Sequence, residues 1–526
     1  MIKKLLLVLV LYYPCLATYH ASASGKAPAP GAAAHSAWVY PGKDGKLVYK
    51  TTPAGDKIMD FSHAGYMGGG VALPTVPVVK NVKPTGTPDD TALIQSAIDE
   101  VAAMPLVNGF RGAVLLEPGV YTCSGTITLS ADGIVLRGSG SGKEGSTIRM
   151  KGDRHSAIVV GRGRERSSAS KSELTRTTVA DKYVPAGAMT FTVVNAKGFA
   201  KGDPIEIRKP VTQSWVHFME MDNLVRDGKP QTWLKEGSTV DTRRNIAAIE
   251  GNKIWLDVPL SDSFDSKYAE SVGIVVAKVP PADLVSQVGL ENLHIVAPPM
   301  EVSHEQSLYN AIRMNGRDCW AKNLLIEETM NSVGVNGSRI TLEEIRITRT
   351  VPNVGGSKPA EFAPNAGQIL MNHCSSHGDN IWHVGTGAAI AGPIVILNCT
   401  FGGNGHLEGH QRWTTGILLD NCQVPEGGID LKNRGSMGSG HGWGSAWSVV
   451  WNCNAKSYVV QQPPGACNWL IGSTGENLPT PRPFDKEPAL PLGISDSPGS
   501  KVFPESLYLR QLEERLGRQA VRNIGY

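Results

Sequence analysis

The segment His406-Leu407-Glu408-Gly409-His410-Gln411-Arg412-Trp413 alternates ionisable residues with others. In an extended chain, alternate side chains share a face, so His406, Glu408, His410 and Arg412 would point together. Four such groups cannot face an apolar core without partners, so the row should face solvent and a groove. A second group follows about one repeat later: Asp430, Lys432, Asn433 and Arg434, then Gly440-His441-Gly442-Trp443. A third precedes it: His377, Asp379, Asn380 and His383. The surrounding sequence is enriched to match. Residues 373–441 hold six of the 13 histidines, and residues 382–469 hold six of the 11 tryptophans.

These residue types suit proton transfer beside an anion. β-Elimination of a uronate polymer needs a cation against the carboxylate, a base for the C5 proton and an acid for the leaving oxygen. Arg412 or Arg434 could neutralise, His410 or Lys432 could be the base, and His441 the acid. His406, Glu408, His377, Asp379 and His383 would bind substrate, and Trp413 and Trp443 could stack on sugar rings or simply pack. Hydrolysis would instead require a carboxylate pair. Asp379, Glu408 and Asp430 are available, but no two are adjacent in sequence. The bland alternative for the 406–412 row is an exposed, salt-bridged strand. A metal bound by His406, Glu408 and His410 is a further alternative. One flat strand seldom closes around an ion alone, so no cofactor is expected and a divalent cation is unsupported.

The elements that would position these residues form an internal repeat. Leu293, Leu324, Ile345, Cys374, Cys399, Cys422 and Cys453 occupy equivalent places in short apolar runs, with spacings of 31, 21, 29, 25, 23 and 31. A period in the twenties with slack in the loops marks a solenoid, and short apolar strands make it a parallel β-helix. The repeat also explains the cysteines. Four share an inward position with Leu and Ile, so they should form a buried stack of small apolar groups. Disulfides between neighbours are the alternative. Asn precedes the core position in five of the seven repeats, which suggests a turn or a backbone-bonding ladder.

Other segments bound the solenoid. Lys3 and Lys4, the apolar run Leu5 to Ala17 and Ala21-Ser22-Ala23 have the form of a cleaved export signal over 1–23. The protein is therefore expected to be secreted or periplasmic. Residues 24–80 form an extended arm, whose Tyr40, Val48, Tyr49, Phe61 and Tyr66 could lie on a larger body. Residues 81–164 hold a capping helix and the first coils. Thr87 is expected to cap this helix, with Pro88 in its first turn and Leu93, Ile94, Ala97, Ile98 and Val101 as its apolar stripe. Residues 165–280 read as an inserted β subdomain, in which Trp215, His217, Trp233, Arg243 and Arg244 serve packing or a substrate edge. The main coils occupy 281–475. A Pro-rich tail over 476–526 ends in a helix capped by Ser506, with Leu509, Leu512, Leu516 and Val521 as its apolar face.

Composition agrees. With 59 glycines, 34 prolines and only 19% charged residues, the chain is turn-rich and is neither a coiled coil nor disordered. A net charge of +3 offers nothing to nucleic acid, and no later segment is apolar enough to span a membrane. A monomer acting on an acidic polysaccharide or oligosaccharide is expected.

Particular motifs carry a family resemblance. Asp89-Asp90-Thr91, Ile94-Gln95, Ala97-Ile98 and Leu116-Glu117-Pro118-Gly119-Val120-Tyr121 resemble the start of right-handed parallel β-helices of the pectate lyase superfamily. The stretches His410–Trp413, Asn433–Gly435, Gly440–Trp443, Trp451–Cys453 and Gln462–Ala466 are similar to a group of secreted bacterial members. The resemblance runs over roughly residues 60–525. It implies an all-β right-handed solenoid and an activity of polysaccharide lyase type or related to family 28 glycoside hydrolases. A glycan-binding protein without catalysis is the remaining alternative. The adjacent-Asp motifs of family 28 are not evident, and only Gly440-His441-Gly442 matches their Gly-His-Gly. The calcium-binding Asp clusters of pectate lyases are not evident either.

Overall fold

The computed structural model describes residues 34–162, 175–301, 308–353, 358–479 and 490–526. The export signal expected over 1–23 lies outside the described residues. The chain is an all-β parallel β-helix, each full coil giving one short strand to each of three parallel sheets. The first sheet begins with Val78–Val82, Gly112–Leu116 and Ile134–Gly138. It continues through the leading halves of Gly289–Val296, Arg317–Glu327 and Ser338–Thr348. Ile369–Asn372, Ala391–Leu397, Thr414–Asp420, Ser448–Trp451 and Asn468–Ile471 extend it. The second sheet uses the trailing halves of the same long strands, then Ser375–His377 and Thr400–Gly402. The third runs through Ile127–Leu129, Ser156–Val160, Asn310–Met314, Val333–Val335, Ala360–Pro364, Trp382–Gly385 and His406–Glu408. The ends of Gln423–Leu431 and Asn454–Val460 complete it.

The repeat read from sequence is the structural register. Leu293 faces Leu324 and Leu324 faces Ile345. Flanking pairs then put Cys374, Cys399, Cys422 and Cys453 in one inward column. All seven described cysteines are buried and unpaired. The residue before each core position turns the corner between the first and second sheets in the left-handed region. Asn292, Asn323, Glu344, His373, Asn398, Asn421 and Asn452 have φ between 49° and 56°. Asn recurs because its short polar side chain tolerates this conformation better than other residues with a Cβ.

One helix covers the first coil. It spans Thr91–Ala102, and its N-cap is Asp90 rather than Thr87. Asp90 accepts bonds from Thr85 Oγ1 at 2.7 Å and Thr122 N at 3.1 Å. These fasten the preceding turn to the solenoid, so the helix starts three residues later than the cap signal implied. Ile94, Ala97, Ile98 and Val101 are buried, but Leu93 is exposed.

The inserted region forms a six-stranded antiparallel sheet with its own core around Phe191, Ile205, Ile207, Ile246, Leu256 and Val276. Its Trp215 and Trp233 reach the solenoid's outer surface and are buried there. Buried Arg244 donates to Pro259 O and Gly392 O at 2.7 and 2.9 Å, pinning the subdomain to a coil. Arg243 pairs with Glu206, and His217 sits on the surface beside Asp222.

The described part of the N-terminal arm and the C-terminal helices clad the outer face of the first sheet. Phe61 and Ala64 of the arm pack there with Leu507, Tyr508 and Leu512, against Leu370, Val395, Leu418, Val449 and Trp451. Tyr40 and Val48 of the arm stay exposed. Ser506 caps Leu507–Leu516 by accepting from Leu509 N, and it donates to buried Asp420 at 2.7 Å. A short helix, Arg518–Asn523, follows. The expected apolar face is shifted: Tyr508 and Ala520 are buried, and Leu516 is 47% exposed. Among the described residues, no helix is long and apolar enough to cross a membrane.

Candidate functional site

With the first sheet covered, the outer face of the third sheet carries the candidate site. Leu407, Ile429 and Leu431 point into the core, so His406, Glu408 and Asp430 point outward. Register aligns Trp382 with His406 and Gly428, and aligns Gly385 with Glu408 and Asp430. Gly428 is a spatial requirement here. A Cβ at this position would lie 2.8 Å from the His406 ring.

Glu408 and Asp430 are thus lateral neighbours on consecutive coils, although 22 residues separate them in sequence. Each backs a histidine and a cation. Asp430 Oδ2 lies 3.0 Å from His406 Nδ1 and 2.8 Å from Lys432 Nζ. Glu408 Oε1 meets His410 Nδ1, and Arg434 Nη1 lies 3.0 Å away. Arg434 Nη1 also lies 2.8 Å from His410 O and 2.9 Å from His441 Nδ1. The exposures are ordered. Both carboxylates are 1% exposed and Arg434 is 4%, against 32% for His406, 24% for His410 and 18% for Lys432. The surface offered to a ligand is therefore imidazole and ammonium, with the acids behind it. Among the described residues, Glu408 Oε2 and Asp430 Oδ1 have no hydrogen-bond partner.

Electrostatics follow from this layering. Burial pushes the Asp430 carboxyl up, but the Lys432 charge and the bond to His406 outweigh it and hold the group at about 2. A carboxylate facing His406 Nδ1 favours the tautomer with its proton on Nδ1, leaving the Nε2 lone pair toward the groove. His441 is pushed down to about 3 by burial first, then by the charge of Arg434 and by His410. It is a neutral imidazole across the physiological range.

Two residues join the site without a signal in the sequence reading. Trp382 has the Arg434 guanidinium 5.0 Å from its ring centroid and Lys358 Nζ 4.8 Å from it. Its ring also lies edge-on to His410, with centroids 5.3 Å apart. Burial lowers the Lys358 pKa, with Glu408, Arg434 and Asp430 among the charges acting on it. Trp382 could have been found by extending the His406 register one coil back. Lys358 precedes a strand in a loop and carries no periodic signal.

The structure brings together His406, Glu408, His410, Lys432, Arg434 and His441. It separates the others. The alternation ends at Glu408, where the strand stops, and Arg412 has φ 51°. Its guanidinium is held by Gln411 Oε1 and by Ser439 O and Oγ, at 2.6–2.8 Å, and reaches the site only as a charge acting on His441. Trp413 and Trp443 are each 2% exposed, so neither offers a ring to the groove. Their indoles donate to Asp262 and to Met219 O. His383 is fully buried beside Ser376, and burial lowers it to about 3. His377 and Asp379 line a separate hollow of about 200 Å³ with Arg349. Among the described residues, no three His, Cys, Asp or Glu side chains are grouped to hold a metal ion.

No family model matches the chain. No curated protein matches it either. Solved structures do. The tailspike gp49 of Pseudomonas phage LKA1 is 13% identical over 74% of this chain and 64% of its own, with a TM-score of 0.41. A mutant tailspike of E. coli bacteriophage HK620, solved in complex with a pentasaccharide, is 8% identical. The match covers 76% of this chain and 55% of that one, with a TM-score of 0.39. The A-module of the Azotobacter vinelandii mannuronan C-5 epimerase AlgE6 is 12% identical over 78% and 95%, with a TM-score of 0.27. The chain thus spans less than two thirds of the length of these two tailspikes.

Proposed function

We propose that the protein is an exported polysaccharide lyase that cleaves an acidic, uronate-containing glycan by β-elimination on the outer face of the third sheet. The layering supports this reading: imidazole and ammonium groups face the groove, and two buried carboxylates lie behind them. Lys432, with Lys358 beside it, meets the uronate carboxylate and stabilises the charge that develops on it. His406 Nε2 takes the C5 proton, while Asp430 holds its other nitrogen. The C5–H electrons form the C4–C5 double bond, and the C4–O bond breaks. His410, oriented by Glu408, gives the leaving oxygen its proton. Arg434 is nearly sealed from solvent and positions Glu408, His410 and His441. A neutral His441 is a poor acid, and Arg412 points elsewhere, so neither keeps the role its sequence position suggested.

Hydrolysis is the second reading, because Glu408 and Asp430 form a carboxylate pair in register. Their burial opposes it, since a nucleophile or general acid must touch the glycosidic bond. The test is a panel of acidic and neutral polysaccharides, followed both by absorbance of unsaturated products and by new reducing ends. Lyase action raises both signals. Reducing ends without absorbance would establish hydrolysis, and glycan binding with neither signal would leave a binding protein.

A further inference from the structure

A second cavity, of about 710 Å³, opens where the N-terminal arm, the inserted subdomain and the late coils meet. Seven aromatic rings wall it: Trp38 from the arm, Tyr183, Trp215, Phe218 and Tyr268 from the subdomain, and Trp413 and Trp447 from the solenoid. Trp215, Trp413 and Trp447 are buried, whereas Trp38, Phe218 and Tyr268 are partly exposed. Phe218 and Tyr268 stack face to face, with centroids 4.4 Å apart at 21°. The volume lies within the range of small-ligand sites, and a mainly apolar wall with a few polar groups is their usual make-up.

The polar groups narrow the ligand. Lys209 Nζ is already held by Asp262 at 3.1 Å and Ser263 O at 3.2 Å. Asp56 already accepts from Thr52, Tyr183 and Ala186 N. Asp265 accepts from Lys267 N. Three of the four charged lining groups are thus held by the protein, and Lys50 is the fourth. Lys50, over the Trp38 ring at 4.9 Å, and Gln462 remain among the lining groups as rim hydrogen-bonding residues. Flat aromatic faces with sparse hydrogen-bonding groups at the rim suit a ring that is apolar on its faces and hydroxylated at its edge. Trp413 walls the cavity and lies three residues after His410, so one loop borders both places.

We propose that this cavity is a second, non-catalytic saccharide-binding site that holds a sugar unit on the Trp38, Phe218 and Tyr268 rings. The choice of an acidic glycan rests on the function proposed above, but the cavity's preference for a saccharide does not. Bound there, a chain is anchored beside the loop that carries His410.

The test uses the full-length protein with His406→Ala to prevent turnover. The probes are tetrasaccharides of galacturonate, mannuronate and glucuronate, and a neutral glucan tetrasaccharide. Binding is followed by tryptophan fluorescence and calorimetry. A saccharide that perturbs tryptophan emission is expected. Tyr268→Ala combined with Lys50→Ala should weaken that signal about ten-fold, whereas adding His410→Ala should leave it in place. Thermal melts of each variant check the fold. A saccharide signal here, together with no cleavage of any glycan by the unsubstituted protein, would sustain the cavity site while defeating the lyase reading. Failure of every tetrasaccharide to change the emission would overturn the proposal. So would a signal abolished by His410→Ala and untouched by Tyr268→Ala with Lys50→Ala.

Discussion

Glu408 and Asp430 face each other across consecutive coils, and each carboxylate lies behind a histidine that is more exposed than itself. This makes two histidine–carboxylate pairs in adjacent rungs of one sheet. The arrangement gives the groove basic groups of fixed orientation, and it separates the roles of residues that one linear motif had grouped together.

The first prediction concerns activity. His406→Ala should lower turnover by about 10²–10⁴-fold, the usual range for losing a general base. Arg412→Ala should leave turnover within a few-fold, because its side chain points to Ser439. Initial rates on a cleaved glycan, with thermal melts alongside, check both. Equal losses in the two variants would return Arg412 to the site.

The second concerns acid stability. Asp430 titrates at about 2 in the folded protein, whereas an unfolded Asp titrates near 3.9. Its contribution is fully present above the unfolded value and is lost as pH falls through the folded one. Roughly 2 kcal/mol should disappear across that window. Urea unfolding of the protein and of Asp430→Asn below about pH 4 should show a step that the variant lacks.

The third has the opposite sign. Burial raises Asp420 and Glu361 to about 7 each, against the bonds from Ser506 and Tyr508 in the first and from Ser332 in the second. The folded state therefore holds protons that the unfolded chain has released. Stability from these groups is present below about pH 4 and falls as pH rises toward 7. Asp420→Asn should flatten this decline in a urea series. An unchanged slope would contradict the assignment.

The fourth separates corner geometry from cladding. Asn452 donates to Val502 O and Glu505 O at 2.8 and 2.9 Å and accepts from Val502 N at 2.8 Å, the two bonds to Val502 being buried. Asn452→Ala loses these bonds and keeps the left-handed φ, costing about 3 kcal/mol. Asn323→Ala, which loses a part-buried bond to Asn292 and another from Ser141, should cost less. Chemical denaturation of both variants makes the comparison.

The fifth concerns the cysteines. Burial raises Cys123, Cys319 and Cys467 to about 12, and the stacked Cys399 and Cys422 also rise well above an ordinary thiol. In the native protein these five should resist a thiol reagent at neutral pH, and they should react in urea. Rapid labelling of Cys399 or Cys422 in the folded protein would show that the column is open.

The repeat was legible in the sequence because a solenoid stacks like on like. The inward column from Leu293 to Cys453 must stay apolar, and the corner before it must accept a positive φ, so both recur at fixed places in each coil. Local patterning also marked His406, Glu408, Lys432 and Arg434 as chemistry-bearing, since outward strand positions need no charged groups for folding. Other decisions were tertiary. The strand ends at Glu408, so Arg412 leaves the row that simple alternation gave it. Trp413 and Trp443 became core because the inserted subdomain and the arm fold over them, which no local pattern encodes. The pairing of Glu408 with Asp430, and the arrival of Lys358 and Trp382, depend on register between coils. That register is set by loop lengths that vary from one repeat to the next.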